Sequence, residues 1–235
     1  MKAIILAAGR GTRMRPLTDH TPKPLLAVRG KPLIEWHIEA LARAGVREIV
    51  VNTAWLEEQI VTALGDGARF GVAIHYSMEQ RDHGGALETA GGIATALPWL
   101  IAHADDPFWV VSADIFAPTF AFDPAAAERF TRSGAQAHLW LVPNPPFHPK
   151  GDFGLAADGH GLADGPGPDD HTWTYANFAL MRASLLAGVA PGTRLPLAPL
   201  LFDGMRARGI TAEVWRGEWE NVGTPAQLQW LDRAL

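Results

Sequence analysis

Hydrophobic positions along the first half of the chain follow two rhythms. Residues 3–8 form an unbroken apolar run, the pattern of a strand buried on both faces of a parallel sheet. After a loop rich in Gly, Arg and Pro, Leu33, Trp36, Ile38, Leu41 and Ala44 recur at helical spacing, and Gly45 supplies the stop. The alternation then predicts a strand over 48–52, a helix over 56–64 and a strand over 72–76. It ends with a helix over 88–102, despite Gly91-Gly92, and a short buried strand over 108–112 that leads to Asp114. Strands interleaved with helices in this way mean βαβ units and a parallel sheet.

The second half is less regular. A helix is predicted over 125–132 and an extended segment over 137–142, after which Pro143-Asn144-Pro145-Pro146 breaks the pattern. Residues 152–156, 173–181 and 210–215 alternate as strands do, with a helix near 197–208 and a last one from Pro225. Residues 165–170 form a turn-rich loop. The pattern describes one α/β domain over 1–235 with a small antiparallel extension in its C-terminal half.

Composition removes several function classes. A chain of 235 residues buries about 70–75 % of its unfolded surface and needs no disulfide or metal staple. Its 48 % hydrophobic and 19 % charged residues argue against disorder. With no cysteine, a disulfide framework, a thiolate zinc site and a cysteine nucleophile are excluded. The net charge of −5 speaks against nucleic acid or an anionic membrane as partner. No apolar run is long enough to span a bilayer, and the apolar opening is too short for a signal core. A cytoplasmic protein is expected.

Against this acidic background, residues 9–24 carry Arg10, Arg13, Arg15 and Lys23 against Asp19 alone, a local charge of +3. The loop leaves the carboxyl end of the first predicted strand, where open α/β sheets bind ligands. Gly9 and Gly11 let the backbone approach a phosphate closely, and Arg13 and Lys23 could neutralise its oxygens. Lys23 stands between Pro22 and Pro24, whose rings stiffen its backbone. Two familiar phosphate loops do not match. Thr12-Arg13 follows Gly11 where a P-loop requires Lys-Ser/Thr, and Met14 stands where the dinucleotide fingerprint requires its last Gly. A solvated turn that is merely basic is the plain alternative.

The segment Leu6-Ala7-Ala8-Gly9-Arg10-Gly11-Thr12-Arg13-Met14, followed by Thr21-Pro22-Lys23-Pro24-Leu25, resembles the signature of the sugar-1-phosphate nucleotidyltransferases. Leu87-Glu88-Thr89-Ala90-Gly91-Gly92, Gly151-Asp152-Phe153 and Trp219-Glu220-Asn221-Val222-Gly223-Thr224 carry the resemblance over nearly the whole chain. They narrow it to members that join UTP to N-acetylmuramate 1-phosphate in cell-wall sugar recycling. The resemblance implies a Rossmann-like, mostly parallel central sheet flanked by helices. It further implies a nucleotide-binding half over about residues 1–120 and a sugar-binding half over about 121–235. The implied reaction is a Mg²⁺-dependent uridylyl transfer that releases pyrophosphate. Ala7, Ala8, Gly9, Gly11, Thr12, Arg13 and Lys23 would bind the nucleotide with Glu79, Thr89 and Gly91, and Arg13 and Lys23 would be catalytic. Alternatives are the same chemistry with GTP and mannose 1-phosphate or dTTP and glucose 1-phosphate, and a non-catalytic nucleotide-sugar sensor. Oligomeric state is left open, with a monomer favoured.

In the family an Asp at the place of Asp114 binds magnesium; by itself, an Asp at a strand end is more often a cap or turn residue. The second expected ligand, an Asp before Val-Gly-Thr, is here Asn221. Its amide oxygen can coordinate Mg²⁺ without adding charge, or the residue serves as a turn former before Gly223. On the sugar side Asp152 and Asn177 are the candidates. Asn177 interrupts an apolar strand, so it must find either a ligand hydroxyl or a buried protein group. The Glu-Lys-Pro motif whose lysine meets the sugar phosphate in many relatives is missing. The loop 165–170 stands in its place.

Overall fold

The computed structural model describes residues 1–233; residues 234–235, the end of the expected domain, lie outside the described residues. In chain order, β1 (Lys2–Leu6) is followed by a hairpin of β2 (Ala27–Val28) and β3 (Lys31–Pro32), then α1 (Leu33–Arg43), β4 (Glu48–Thr53), α2 (Glu57–Leu64) and β5 (Ala73–Met78). Next come α3 (Glu79–His83), α4 (Glu88–Leu100), β6 (Phe108–Ser112), β7 (Ile115–Phe116) and α5 (Pro124–Arg132). The second half holds β8 (Ala137–Val142), β9 (Phe153–Leu155), β10 (Gly161–Leu162), β11 (Thr172–Met181) and α6 (Ala198–Arg206). β12 (Ile210–Val214), β13 (Glu220–Asn221) and α7 (Pro225–Arg233) complete it.

The apolar runs pair as their pattern predicts. β1 lies parallel between β4 and β6, and β5 is parallel to β4. β11 joins β6 in antiparallel fashion and carries β8 and β9, with β12 parallel to β8 and β10 beside β9. The result is one nine-stranded sheet, mostly parallel at its centre with an antiparallel extension from the second half.

Successive strand residues face opposite sides of a sheet, and here both sides are covered. Ile5, Val51 and Val111 pack under α1, α2 and α5 through Ile34, Ile38, Ile60 and Phe130. Ile4, Val50 and Val110 pack under α4 and α6 through Ile93, Leu100, Leu201 and Met205. Each such side chain contributes about 1.5–3 kcal/mol on burial. A smaller third cluster unites Met14 of the basic loop, Val28, Leu33, Phe116 of β7, Val222 and Leu231 of α7. Arg29 locks it: its N–H donates to Asp232 at 2.7 Å and its guanidinium to Glu218 at 2.6 Å.

The elements absent from the hydrophobic pattern are β2, β3, α3, β7, β10 and β13, none longer than five residues. Such pieces are too short to show a period. The strand order reverses at β1, with β4 on one side and β6 on the other. Ligands of open α/β sheets bind outside the carboxyl ends of the strands at such a point. The basic loop leaves β1 there, and Asp114 leaves β6.

Candidate active site

A cleft of about 730 Å³ opens at this point. Ala7, Ala8, Gly9, Gly11, Thr12 and Arg13 line it from the loop after β1, joined by Lys23, Thr89 and Asp114. The C-terminal half lines it with Asp152, Phe153, Tyr175 and Asn177. Eleven of the fourteen residues expected at the site therefore share one cavity; Glu79, Gly91 and Asn221 do not line it.

The loop is built around Gly11. At φ +66° it occupies the left-handed region, and a Cβ there would stand 3.0 Å from Thr18 Cγ2 and 3.2 Å from Lys23 Cβ. Conformation and space both require glycine. The Thr18 hydroxyl donates to the Gly11 carbonyl at 2.8 Å, and Trp55 Nε1 donates to the Thr18 carbonyl at 2.8 Å. The Arg10 guanidinium lies 4.2 Å above the Trp55 ring, a cation–π arrangement that steadies it. At Gly9, by contrast, nothing lies within 4 Å of where a Cβ would be. No protein contact demands a glycine there.

Lys23 is 7 % exposed. Its ammonium donates to Asp114 Oδ2 at 2.8 Å, while the Ser112 hydroxyl donates to Oδ1 at 2.8 Å. Burial pushes the Asp114 carboxyl up, but the Lys23 charge and the bonds from Lys23 and Ser112 outweigh it and hold the group below its ordinary value. Antiparallel pairing of β13 with β7 sets Asn221 opposite Ile115, and the Val222 N–H donates to the Asp114 carbonyl at 3.0 Å. Asn221 Oδ1 is buried and has no hydrogen-bond partner. An orphaned buried acceptor costs roughly 1–3 kcal/mol. Together with the carboxylate of Asp114, the residue before its strand partner Ile115, it offers two hard oxygen donors of the kind Mg²⁺ takes. Asp114 and Asn221 therefore fit such an ion.

Behind this hairpin sits His37, fully buried, with Nε2–H donating to the Ile115 carbonyl at 2.8 Å. A carbonyl only accepts, which fixes the tautomer. Burial lowers the imidazole to about 4, so it is neutral at physiological pH.

Glu79 and Gly91, expected against the base, have other surroundings. Glu79 is completely buried; Oε1 accepts from Asn52 Nδ2 at 2.7 Å and Oε2 from the Leu87 N–H at 2.8 Å. Asn52 Oδ1 in turn accepts the Ala7 N–H at 2.8 Å. Glu79 thus supports the Ala7 and Leu87 segments from behind, and burial raises its carboxyl above the ordinary value. A Cβ on Gly91 would lie 1.9 Å from the Thr193 carbonyl oxygen, so its size answers to that segment. Gly92 makes room for Glu79 and Asn52 in the same way, at 2.6 and 2.7 Å.

In the second half, Asp152 Oδ2 accepts from the Tyr175 N–H at 2.8 Å, and Oδ1 lies 3.0 Å from His148 Nε2. The pairing of β11 with β8 slips by two residues between Tyr175–Leu141 and Ala179–Leu139. Within this bulge Asn177 adopts φ +61°, a conformation that strains a residue with a Cβ. Burial raises the Tyr175 hydroxyl, which stays protonated. Among the described residues lining the cleft from this half there is no Lys or Arg; the lining cations are Arg10, Arg13 and Lys23. Asn52, Ser112 and Tyr175 were not singled out from the sequence. For the first two a signal existed, a polar residue closing a buried apolar run, as Asp114 does.

Residues 2–163 match the model of the nucleotidyl transferase family. N-acetylmuramate alpha-1-phosphate uridylyltransferase of Neisseria meningitidis serogroup B is 47 % identical over 232 residues, 97 % of this chain and 96 % of that protein. Glucose-1-phosphate thymidylyltransferase of Streptomyces griseus is 26 % identical over 100 % of this chain and 66 % of its own length. A Bacillus anthracis protein crystallised with a sucrose shares the fold, with a TM-score of 0.82 at 21 % identity over 99 % and 94 % of the two chains. The chain belongs to the nucleotidyl transferase family and is an enzyme of its sugar-1-phosphate nucleotidyltransferase branch.

Proposed function

We propose that the enzyme couples UTP and N-acetylmuramate 1-phosphate to UDP-N-acetylmuramate and pyrophosphate, with Mg²⁺, in cytoplasmic recycling of cell-wall sugar. One observation carries the proposal. A single cleft joins a cationic, glycine-containing loop at the end of β1 to Asp152 and a strained Asn177 from the other half. The similarity to the uridylyltransferase of Neisseria meningitidis, end to end in both chains, favours uracil and the muramyl sugar over the guanylyl and thymidylyl alternatives.

An oxygen of the sugar phosphate attacks the α-phosphorus of UTP in line, a new P–O bond forms, and the α–β bridging bond breaks to release pyrophosphate. The nucleophile is already anionic, so no general base is required; positioning and charge stabilisation do the catalysis. Gly9, where no protein atom requires a glycine, leaves space for a phosphate to meet the backbone. Arg13 and Lys23 lie in the cleft where both polyanions converge. Because no described residue lining the C-terminal wall is a Lys or Arg, these side chains and Arg10 serve the sugar phosphate as well as the triphosphate. The base rests against Ala7, Ala8 and Thr89, with the Ala7 N–H already engaged by Asn52. Asp114 and Asn221 would hold Mg²⁺, whose chemistry is to offset the negative charge gathering on the phosphates. Asp152 and Asn177 meet sugar hydroxyls.

A matrix of nucleoside triphosphates against sugar 1-phosphates, read by pyrophosphate release, tests this. The highest kcat/KM is expected for UTP with N-acetylmuramate 1-phosphate. Binding without pyrophosphate release across the matrix would contradict it and identify a sensor.

A further inference from the structure

Residues 219–223 run past three residues that line the cleft, Arg13, Asp114 and Asn177. At their far end a Cβ on Gly223 would stand 3.5 Å from Arg13 Nη1. In their middle Asn221 pairs with Ile115, next to Asp114. At their start Trp219 Nε1 donates to the Ala176 carbonyl at 3.0 Å. That carbonyl belongs to the peptide plane whose nitrogen is that of Asn177. Turning the plane turns Asn177 about φ, the angle held at +61°.

We infer that Trp219 is a positioning residue for the sugar phosphate: its one N–H holds the Ala176–Asn177 peptide and so keeps the Asn177 side chain at the cleft. A strained backbone persists only when its surroundings over-determine it. Asn177 does not hold itself, since its own amide reaches the Tyr175 carbonyl only at 3.5 Å, the limit of a hydrogen bond. The flanking Ala176 and Phe178 are fully buried and fix the chain on either side. What is left to set is the orientation of the intervening peptide. The indole N–H is the sole polar group of the Trp219 side chain, and the residue is partly buried against the cluster that contains Phe178. The same short segment thus places the sugar contact at one end and the candidate Mg²⁺ donor two residues later.

The inference rests on Asn177 as a sugar contact, and the experiment separates the two. KM for UTP and KM for N-acetylmuramate 1-phosphate are measured for Trp219→Phe, Asn177→Ala and the double variant, with thermal unfolding of each. Trp219→Phe keeps an aromatic ring and loses the donor. Its sugar-phosphate KM is expected to rise about 3- to 10-fold, the range of one neutral hydrogen bond, with the UTP KM unchanged. In the Asn177→Ala background the same substitution is expected to add nothing. Trp219→Tyr, which also lacks the indole N–H, must show the same split and stands in if the Phe variant unfolds. Equal changes in both KM values, no change in either, or full additivity with Asn177→Ala would overturn the role of Trp219 while leaving Asn177 in place. An unaltered sugar-phosphate KM in Asn177→Ala would overturn the reading of Asn177 itself, and the inference with it.

Discussion

The two walls of the cleft are made by different means. The N-terminal wall consists of loops leaving the carboxyl ends of parallel strands, lined by main chain and by Arg10, Arg13 and Lys23. The C-terminal wall is a bulge in an antiparallel strand, where single polar side chains face the cleft and, among the described residues, no Lys or Arg lines it. Phosphates recur in every nucleotide and can be met by a short contiguous loop. A sugar is told apart by hydroxyls, which needs individual side chains set by distant contacts. On the proposed function, this division would let one fold keep its phosphate wall while varying its second substrate.

Removing charge from the first wall should have the largest effect. Lys23→Ala is expected to lower kcat by about 10²–10³-fold, the scale of one preorganised stabilising group, as read by pyrophosphate release. Near-normal turnover would take Lys23 out of the site. The same wall carries an acid-sensitive support. His37 is depressed to about 4 from an ordinary 6.5, so the folded state resists protonation that the unfolded chain accepts. Its contribution is complete above about 6.5 and is lost as pH falls towards 4, amounting to about 3 kcal/mol. Urea unfolding of His37→Gln between those values is expected to lose that part of the pH slope. An identical slope would contradict the assignment.

This contrast also decides what the sequence discloses. The parallel core strands, the helices and the basic loop that lines the cleft were legible because each is local: an apolar run, a helical period, a stretch dense in Gly, Arg and Lys. Asp114 was found from its place after the run 108–111. Glu79 was assigned to the base, although its carboxylate bonds Asn52 and Leu87, 27 and 8 residues away, and only the folded chain reveals that. Gly91 resembled a base contact, yet it answers to Thr193 across the chain. The strain at Asn177 depends on register between β8 and β11, which no single segment encodes.

Smaller changes sharpen the comparison. Asn177→Ala should raise the sugar-phosphate KM about 10-fold and spare UTP, whereas equal effects would erase the division between walls. Asn221→Asp adds a charge beside Asp114, and Mn²⁺ titration followed by electron paramagnetic resonance should show tighter binding. Unchanged binding would favour the turn-forming alternative for that residue. The smallest effect is the most diagnostic of strain. Asn177→Gly should raise stability by about 1 kcal/mol or less, since glycine adopts a positive φ freely, while still weakening the sugar phosphate.

The most direct test is a crystal structure of the enzyme with UTP. The triphosphate is expected along Gly9–Arg13 and Lys23, with the uracil by Ala7, Ala8 and Thr89 and with Asp152 and Asn177 free of nucleotide contact. A triphosphate bound at the β11 bulge, or away from the loop after β1, would contradict the assignment of the two walls.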